Sequence, residues 1–278
     1  MNKKWTRLSL ALALCGTHAF AGDMGYVQPA DWTGFYVGAN AGYTWSANNS
    51  LHNISRASYA DPSFLPLSQI RATAIALVTT NRMFTSDNSF MGGAQIGYNS
   101  QFSDHLVIGI ETDLDALRFD SSTARTDTVS SIGTYTSNAT MTKKLNYLGL
   151  LKGRLGYLVT QSFLIYGSGA FAYGGASLAT TYSVTNSQPN LLPIYAETNK
   201  NRILGGWSAG AGAEWMFTPC WSMKLEYLYY DLGSMHTYLN LGQSLAATPT
   251  TLYAGAVVES QAKYTGNAVR LGINYHFA

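Results

Sequence analysis

The stretch that decides the fold is TGFYVGANAGYTWS, residues 33–46. Phe35, Val37, Ala39, Ala41, Tyr43 and Trp45 fall on one side of an extended chain. Tyr36, Gly38, Asn40, Gly42, Thr44 and Ser46 fall on the other. A period of two marks a β-strand with an apolar face and a small, polar face. A water-soluble barrel hides the apolar face, whereas a membrane barrel turns it to lipid and keeps the polar face inside. The rest of the chain has to say which face looks inward.

Composition narrows the choice. Of 278 residues only 12% are charged, against roughly 25% in an ordinary soluble domain. Glycine (27) and tyrosine (19) are abundant, and no segment beyond the N-terminus is apolar for long enough to be a spanning helix. Residues 1–21 read as a secretory signal. Lys3, Lys4 and Arg7 start it, Leu8 to Leu14 form its apolar core, and Ala19-Phe20-Ala21 precedes a cut before Gly22. Its removal leaves 14 basic against 15 acidic residues. A near-neutral exported chain has no basic surface for nucleic acid. Cys15 lies within the signal, behind the bulky Leu14. Cys220 is then alone in residues 22–278, which form one domain with no internal disulfide.

The alternating pattern recurs over 33–46, 90–102, 105–119, 143–159, 163–183, 203–218, 221–235 and 264–277. Three connections are of hairpin length, at 103–104, 160–162 and 219–220. The others, 47–89, 120–142, 184–202 and 236–263, are long and rich in Ser, Thr, Asn and Pro. Short and long connections alternate. That predicts an all-β, eight-stranded antiparallel up-and-down transmembrane barrel, with three short periplasmic turns and four long outer loops. Within 47–89, the piece LSQIRATAIALV puts Leu67, Ile70, Ala74, Leu77 and Val78 at helical spacing. A helix at the barrel mouth, an extended hairpin and an internal plug all remain open.

The charges decide the faces. Glu111, Asp113 and Asp115 share one face of their strand. Lys152 and Arg154 share another, Glu214 sits with Gly210 and Gly212, Lys224 sits with Glu226, and Arg270 sits with Asn274 and His276. Five acids against four bases nearly balance, and glycine, serine and asparagine fill the rest of these faces. Such faces suit a narrow lumen. The apolar faces end in aromatic residues, as at two membrane interfaces. The expectation is an internal ion-pair network of Glu111, Asp113, Asp115, Lys152, Arg154, Glu214, Lys224, Glu226 and Arg270, shut to bulk flow.

The segments DWTGFYVGANAGYTW, FMGGAQIGYNSQF, GRLGY, WSMKLEYLYYDLG and VRLGINYHF resemble the porin-like outer-membrane β-barrel proteins of Gram-negative bacteria, of the surface-antigen type widespread in alpha-proteobacteria. The resemblance covers nearly all the strand segments and not the long ones between them. It implies an eight-stranded barrel in the outer membrane, placed there by the barrel-assembly machinery, with Tyr275 and Phe277 of the last strand as the assembly signal. Such chains usually end on the aromatic residue, and this one ends Phe277-Ala278.

No catalytic, cofactor or metal site is expected. His52, His105, His236 and His276 have no metal-ligand spacing. His276 is expected to be hydrogen-bonded in the lumen, while His52 and His236 lie in outer segments, where heme iron is the alternative. A lipid-modifying enzyme would need a serine and a histidine on neighbouring strands near the outer rim, and the spacing supplies none. The glycines of GGAQIG and GAGAE precede no helix that could hold a phosphate. The expected function is non-enzymatic, combining an envelope-structural role with surface contact. The partners are outer-membrane lipid, the assembly machinery, and host or surface ligands at the loops. A narrow diffusion channel or a hemin-binding receptor is the alternative.

Overall fold

A computed structural model describes residues 31–277. The expected signal segment with its cut before Gly22, Cys15 and the terminal Ala278 lie outside the described residues. Ten strands form one antiparallel sheet: β1 (Gly34–Ser46), β2 (Ser50–Ala60), β3 (Asn81–Phe84), β4 (Asn88–Gln101), β5 (Leu106–Ser131), β6 (Gly133–Thr160), β7 (Phe163–Asn186), β8 (Ile194–Thr218), β9 (Trp221–Leu245) and β10 (Thr248–His276). Their order is β1-β4-β5-β6-β7-β8-β9-β10-β2-β3, and β1 also pairs with β10. Hydrogen bonding therefore returns to its starting strand, from Tyr36↔His276 to Ser46↔Gly266. Among the described residues one α-helix, α1 (Leu67–Thr79), and one 3-10 turn, Pro62–Phe64, interrupt the strands.

The number of strands and the nature of the long connections differ from expectation. There are ten strands, not eight. Residues 47–89 hold β2, α1 and β3, and most of 120–142, 184–202 and 236–263 is paired strand. β5 and β6 stay paired, past a slip between Ala116 and Phe119, up to Ser131↔Gly133, where Gly133 takes the left-handed φ of +84° that the turn requires. The Ser/Thr/Tyr-rich stretches read as loops because their alternation is weak. Their β-branched and aromatic residues nevertheless suit a pleated ladder. The connections at the other end are short: 102–105, 161–162 and 219–220.

In β1 the apolar face looks outward. Phe35 is 60% exposed, while Tyr36, Asn40 and Thr44 are buried. Phe90, Leu155, Phe171 and Leu271 are exposed in the same way. Aromatic pairs mark the two edges of this apolar band, among them Tyr43–Phe90 and Trp207–Tyr229 at one edge and Phe35–Tyr98 and Trp221–Tyr275 at the other.

Beyond the band the polarity turns over. In β9 the even-numbered residues Ser222, Lys224, Glu226, Leu228 and Tyr230 point inward as far as Leu232; from Met235 onward the odd-numbered Thr237, Leu239, Leu241 and Gln243 do so. The slip is a bulge opposite Lys263–Thr265, and Gly233 within it has φ +80°. A second slip in β6, between Leu145 and Leu148, changes the inward set in the same way. Above the slips the interior is an apolar core and the outer face carries polar residues such as Asn138, Thr140 and Asn240. β6, at about 3.3 Å per residue and a tilt near 45°, reaches roughly 65 Å, about twice a bilayer's hydrocarbon thickness.

Helix α1 settles one open alternative and corrects its face. It packs against β2 and β10 and reaches β5 and β6, burying Arg71, Ala72, Ala74, Ile75, Val78 and Thr79. Ile70 and Leu77, expected on the packed face, are exposed. At the opposite end Trp32 is fully buried with Val107, Leu158, Leu164, Tyr166 and Met216, and its Nε1 donates to the Gln161 carbonyl at 2.9 Å.

This arrangement predicts three kinds of surface. In a Cys220→Ser background reconstituted in lipid, nitroxides at Val37 and Leu271 should be relaxed by oxygen dissolved in acyl chains. A nitroxide at Asn138 should be relaxed by a water-soluble nickel chelate, and one at Asn40 by neither. Acyl-chain contact at Asn40 with none at Val37 would reverse the two faces.

Candidate functional site

The nine charged residues read from the polar faces are all buried, none more than 4% exposed. They come from five strands: Glu111, Asp113 and Asp115 from β5, Lys152 and Arg154 from β6, Glu214 from β8, Lys224 and Glu226 from β9, and Arg270 from β10. Two contacts join residues opposite each other on adjacent strands. Glu111 faces Lys152 and bonds it, and Glu226 faces Arg270, whose Nη2 lies 2.5 Å away.

Other bonds reach non-adjacent strands or, for Arg154–Glu111 and Lys152–Asp113, run diagonally between the adjacent β5 and β6. Lys224 Nζ reaches Glu111 at 2.8 Å, and Lys152 Nζ reaches Glu226 at 3.1 Å. Arg154 holds Glu111 at 3.0 Å and Glu214 at 2.5 Å. Arg270 bonds Asp115 at 2.6 Å and also Asp113. β5 and β9 lie four places apart in the strand order, so a curved sheet sets them face to face. Glu214 and Lys224 are register partners, yet they bond not each other but Arg154 and Glu111 respectively.

Residues outside that set complete the network. Tyr36 donates to Glu111 at 2.5 Å and accepts from Arg154 at 2.7 Å. The Arg154 guanidinium lies 4.0 Å from the Tyr166 ring centroid and 5.7 Å from that of Tyr36. Both rings lie over glycines on the neighbouring strand. A Cβ on Gly212 would come within 2.6 Å of the Tyr166 ring, and Gly97 sits likewise beneath Tyr36. The glycines of the polar faces thus make room for aromatic rings. Asn274 and Ser222 each donate to Glu214 at 2.6 Å, and Asn274 accepts from Gln95. Parity was the available signal: Tyr36 shares the polar face of Asn40, and Asn274 that of Arg270.

Glu111, Asp113 and Glu226 bring carboxylate oxygens within 4.8 Å of one another, a donor set that suits a cation. The Lys152 ammonium is bonded to all three and stands where an ion would. The structure also brings together a pair that the sequence reading did not assemble. Ser222 Oγ lies 2.9 Å from His276 Nε2, on neighbouring strands. The geometry is not that of an activated nucleophile: the Ser222 hydroxyl donates to Glu214, and Ser222 is fully buried. The pair sits in the lumen, and His276 is 3.7 Å from Glu214.

The other histidines lie outside the lumen. His105 stacks on Tyr157. His236 contacts Glu259 at 2.9 Å on the outer face. His52 is held below the ordinary imidazole range by partial burial and by the positive charges of Arg82 and Lys263. Cys220 is half-buried in the turn between β8 and β9. Tyr275 and Phe277 stack edge-on at 5.2 Å, and the Phe277 amide donates to the Phe35 carbonyl at 2.9 Å.

Removing one base from this interior leaves carboxylates unpaired, a loss of about 3–5 kcal/mol for a fully buried pair. Lys224→Met and Arg270→Met should each lower urea stability in lipid vesicles by that order. Arg125→Ala, which breaks the exposed pair with Asp127, should cost less than about 1 kcal/mol. Equal losses in all three variants would contradict this account of the interior.

Three comparisons place the chain. Residues 8–277 match the outer membrane protein beta-barrel domain family. The 31 kDa outer-membrane immunogenic protein of Brucella melitensis is 28% identical over 280 residues, covering 97% of this chain and 98% of that one, and the Brucella suis protein matches equally. Among solved structures, OprG from Pseudomonas aeruginosa has a TM-score of 0.38 at 11% identity, covering 90% of this chain and 99% of OprG. The protease OmpT from Escherichia coli has a TM-score of 0.36 at 12% identity, covering 88% and 94%. Those two likenesses are too distant to bear on function. With the family match spanning nearly the whole sequence, the chain belongs to the outer membrane protein β-barrel family and resides in the bacterial outer membrane.

Proposed function

We propose that β1 and β4 to β10 form an eight-stranded transmembrane barrel that neither conducts nor catalyses. In this reading its outer half, with β2, β3 and α1, supports the envelope and makes surface contacts, and residues 22–278 are one unit behind a removable leader. The observation that carries the reading is the set of ion pairs crossing the lumen. A conducting pore needs a continuous wet path, and here Lys152, Lys224 and Arg270 reach carboxylates three or four strands away around the ring. Trp32 fills the space on one side of them. On the other side lie the apolar core, the buried Lys143–Asp87 pair at 2.7 Å, and α1. The sealed Ser222–His276 pair supports the absence of catalysis. The relationship to immunogenic outer-membrane proteins of Brucella supports a surface role, with host or other surface ligands meeting the hairpin tips.

Purified protein refolded into planar bilayers should give no current steps. Reproducible ion-selective steps would replace this reading with a narrow diffusion channel, and saturable hemin binding by the silent barrel would replace it with a receptor. The last strand is read as the signal for the assembly machinery, with Tyr275 and Phe277 as its aromatic residues. Phe277→Ser should reduce the amount of barrel in the outer membrane of living cells several-fold while leaving refolding into detergent intact. Unchanged delivery would remove Phe277 from that role.

A further inference from the structure

Among the described residues, every buried charge but one has an opposite charge beside it. The exception is Arg71 on α1, which is 5% exposed. Its Nη2 donates to Gln188 Oε1 at 2.7 Å, and its guanidinium lies 5.5 Å from the Tyr253 ring centroid. Among the described residues its buried Nε and Nη1 have no acceptor in hydrogen-bond geometry, and the Tyr135 hydroxyl lies beside the guanidinium. Five elements converge here: α1, β6 with Tyr135, β9 with Gln243, β10 with Tyr253, and the link from β7 to β8 with Gln188. That link folds over the mouth, where Leu191 bridges to Leu245.

Among the described residues no carboxylate pairs with it, and its neighbours are neutral. Tyr135 donates its proton to Gln243 Oε1 at 3.1 Å, and Gln243 Nε2 donates to the Leu192 carbonyl at 3.4 Å. Both side chains are fully buried and Tyr253 nearly so. A guanidinium in such surroundings retains its charge, and a buried charge without a counter-charge is strongly disfavoured. The rest of the barrel interior obeys that rule with carboxylates.

We propose that Arg71 is the core of an anion-binding site at the outer mouth, which takes one small monoanion: a halide, or a carboxylate no larger than acetate. A single positive charge sets the charge of the ligand. The bound anion would tie α1 to the hairpins around it and steady the outer half.

The test uses the full barrel in detergent. Crystals soaked in sodium bromide should show bromine anomalous scattering at the Arg71 guanidinium. Replacing sodium gluconate by sodium chloride at equal ionic strength should raise the unfolding midpoint by about 3–5 °C and saturate. In Arg71→Met that rise should vanish. An ordered water at the guanidinium with no bromide signal would overturn the proposal, as would an equal chloride response in wild type and Arg71→Met. If Arg71→Met does not fold, the bromide map of the wild type decides alone.

Discussion

Charge buried in a ring of strands is the constraint on which the rest of this molecule depends. Facing hydrocarbon, a sheet can leave no backbone group unpaired, so its edges must meet. Once they meet, the polar face is shut inside, and each charge there needs a partner. The answer is a network of bonds, some between neighbouring strands and some spanning the interior, with Arg270 reaching Asp113, Asp115 and Glu226, and Lys152 reaching Glu111, Asp113 and Glu226. Glycines and tyrosines share the same faces for a related reason. Arg154 lies against the rings of Tyr36 and Tyr166, and those rings need the space that Gly97 and Gly212 leave empty.

One sheet meets two solvents. Within the apolar band Val37 and Leu271 face outward and Glu111 faces inward. Above it Leu239 and Met141 face inward and Asn240 faces outward. A strand with an uninterrupted two-residue period keeps one parity on each face. The bulges at Gly233 and after Leu145 exchange the parity while the ladder continues. The outer half then behaves as a water-facing domain with its own apolar core, into which α1 packs.

The chemistry available in the lumen follows from this sealing. Carboxylates converge as they would on a metal, but an ammonium occupies the centre of the group. A serine meets a histidine, but the hydroxyl is turned to Glu214. Local constellations that would suggest catalysis at a cleft read differently when every member is buried and already bonded.

The sequence by itself determined which face of each spanning strand is apolar, that nine charges share those polar faces, and where three of the short turns fall; it did not place Arg71, Asp87 and Lys143 inside. These are local properties: period two is written residue by residue, and a balanced set of acids and bases on small-residue faces needs no three-dimensional information. Tertiary structure alone decided that the Ser/Thr-rich segments continue as paired strand, because their alternation is too weak to stand out and slips at Gly233. It alone decided that α1 buries Arg71 and Ile75 rather than Ile70 and Leu77, since a helix with apolar residues on several sides is oriented by what surrounds it. It alone brought Lys224 to Glu111, because which strand faces which across a lumen is set by the number of strands between them and the curvature of the sheet.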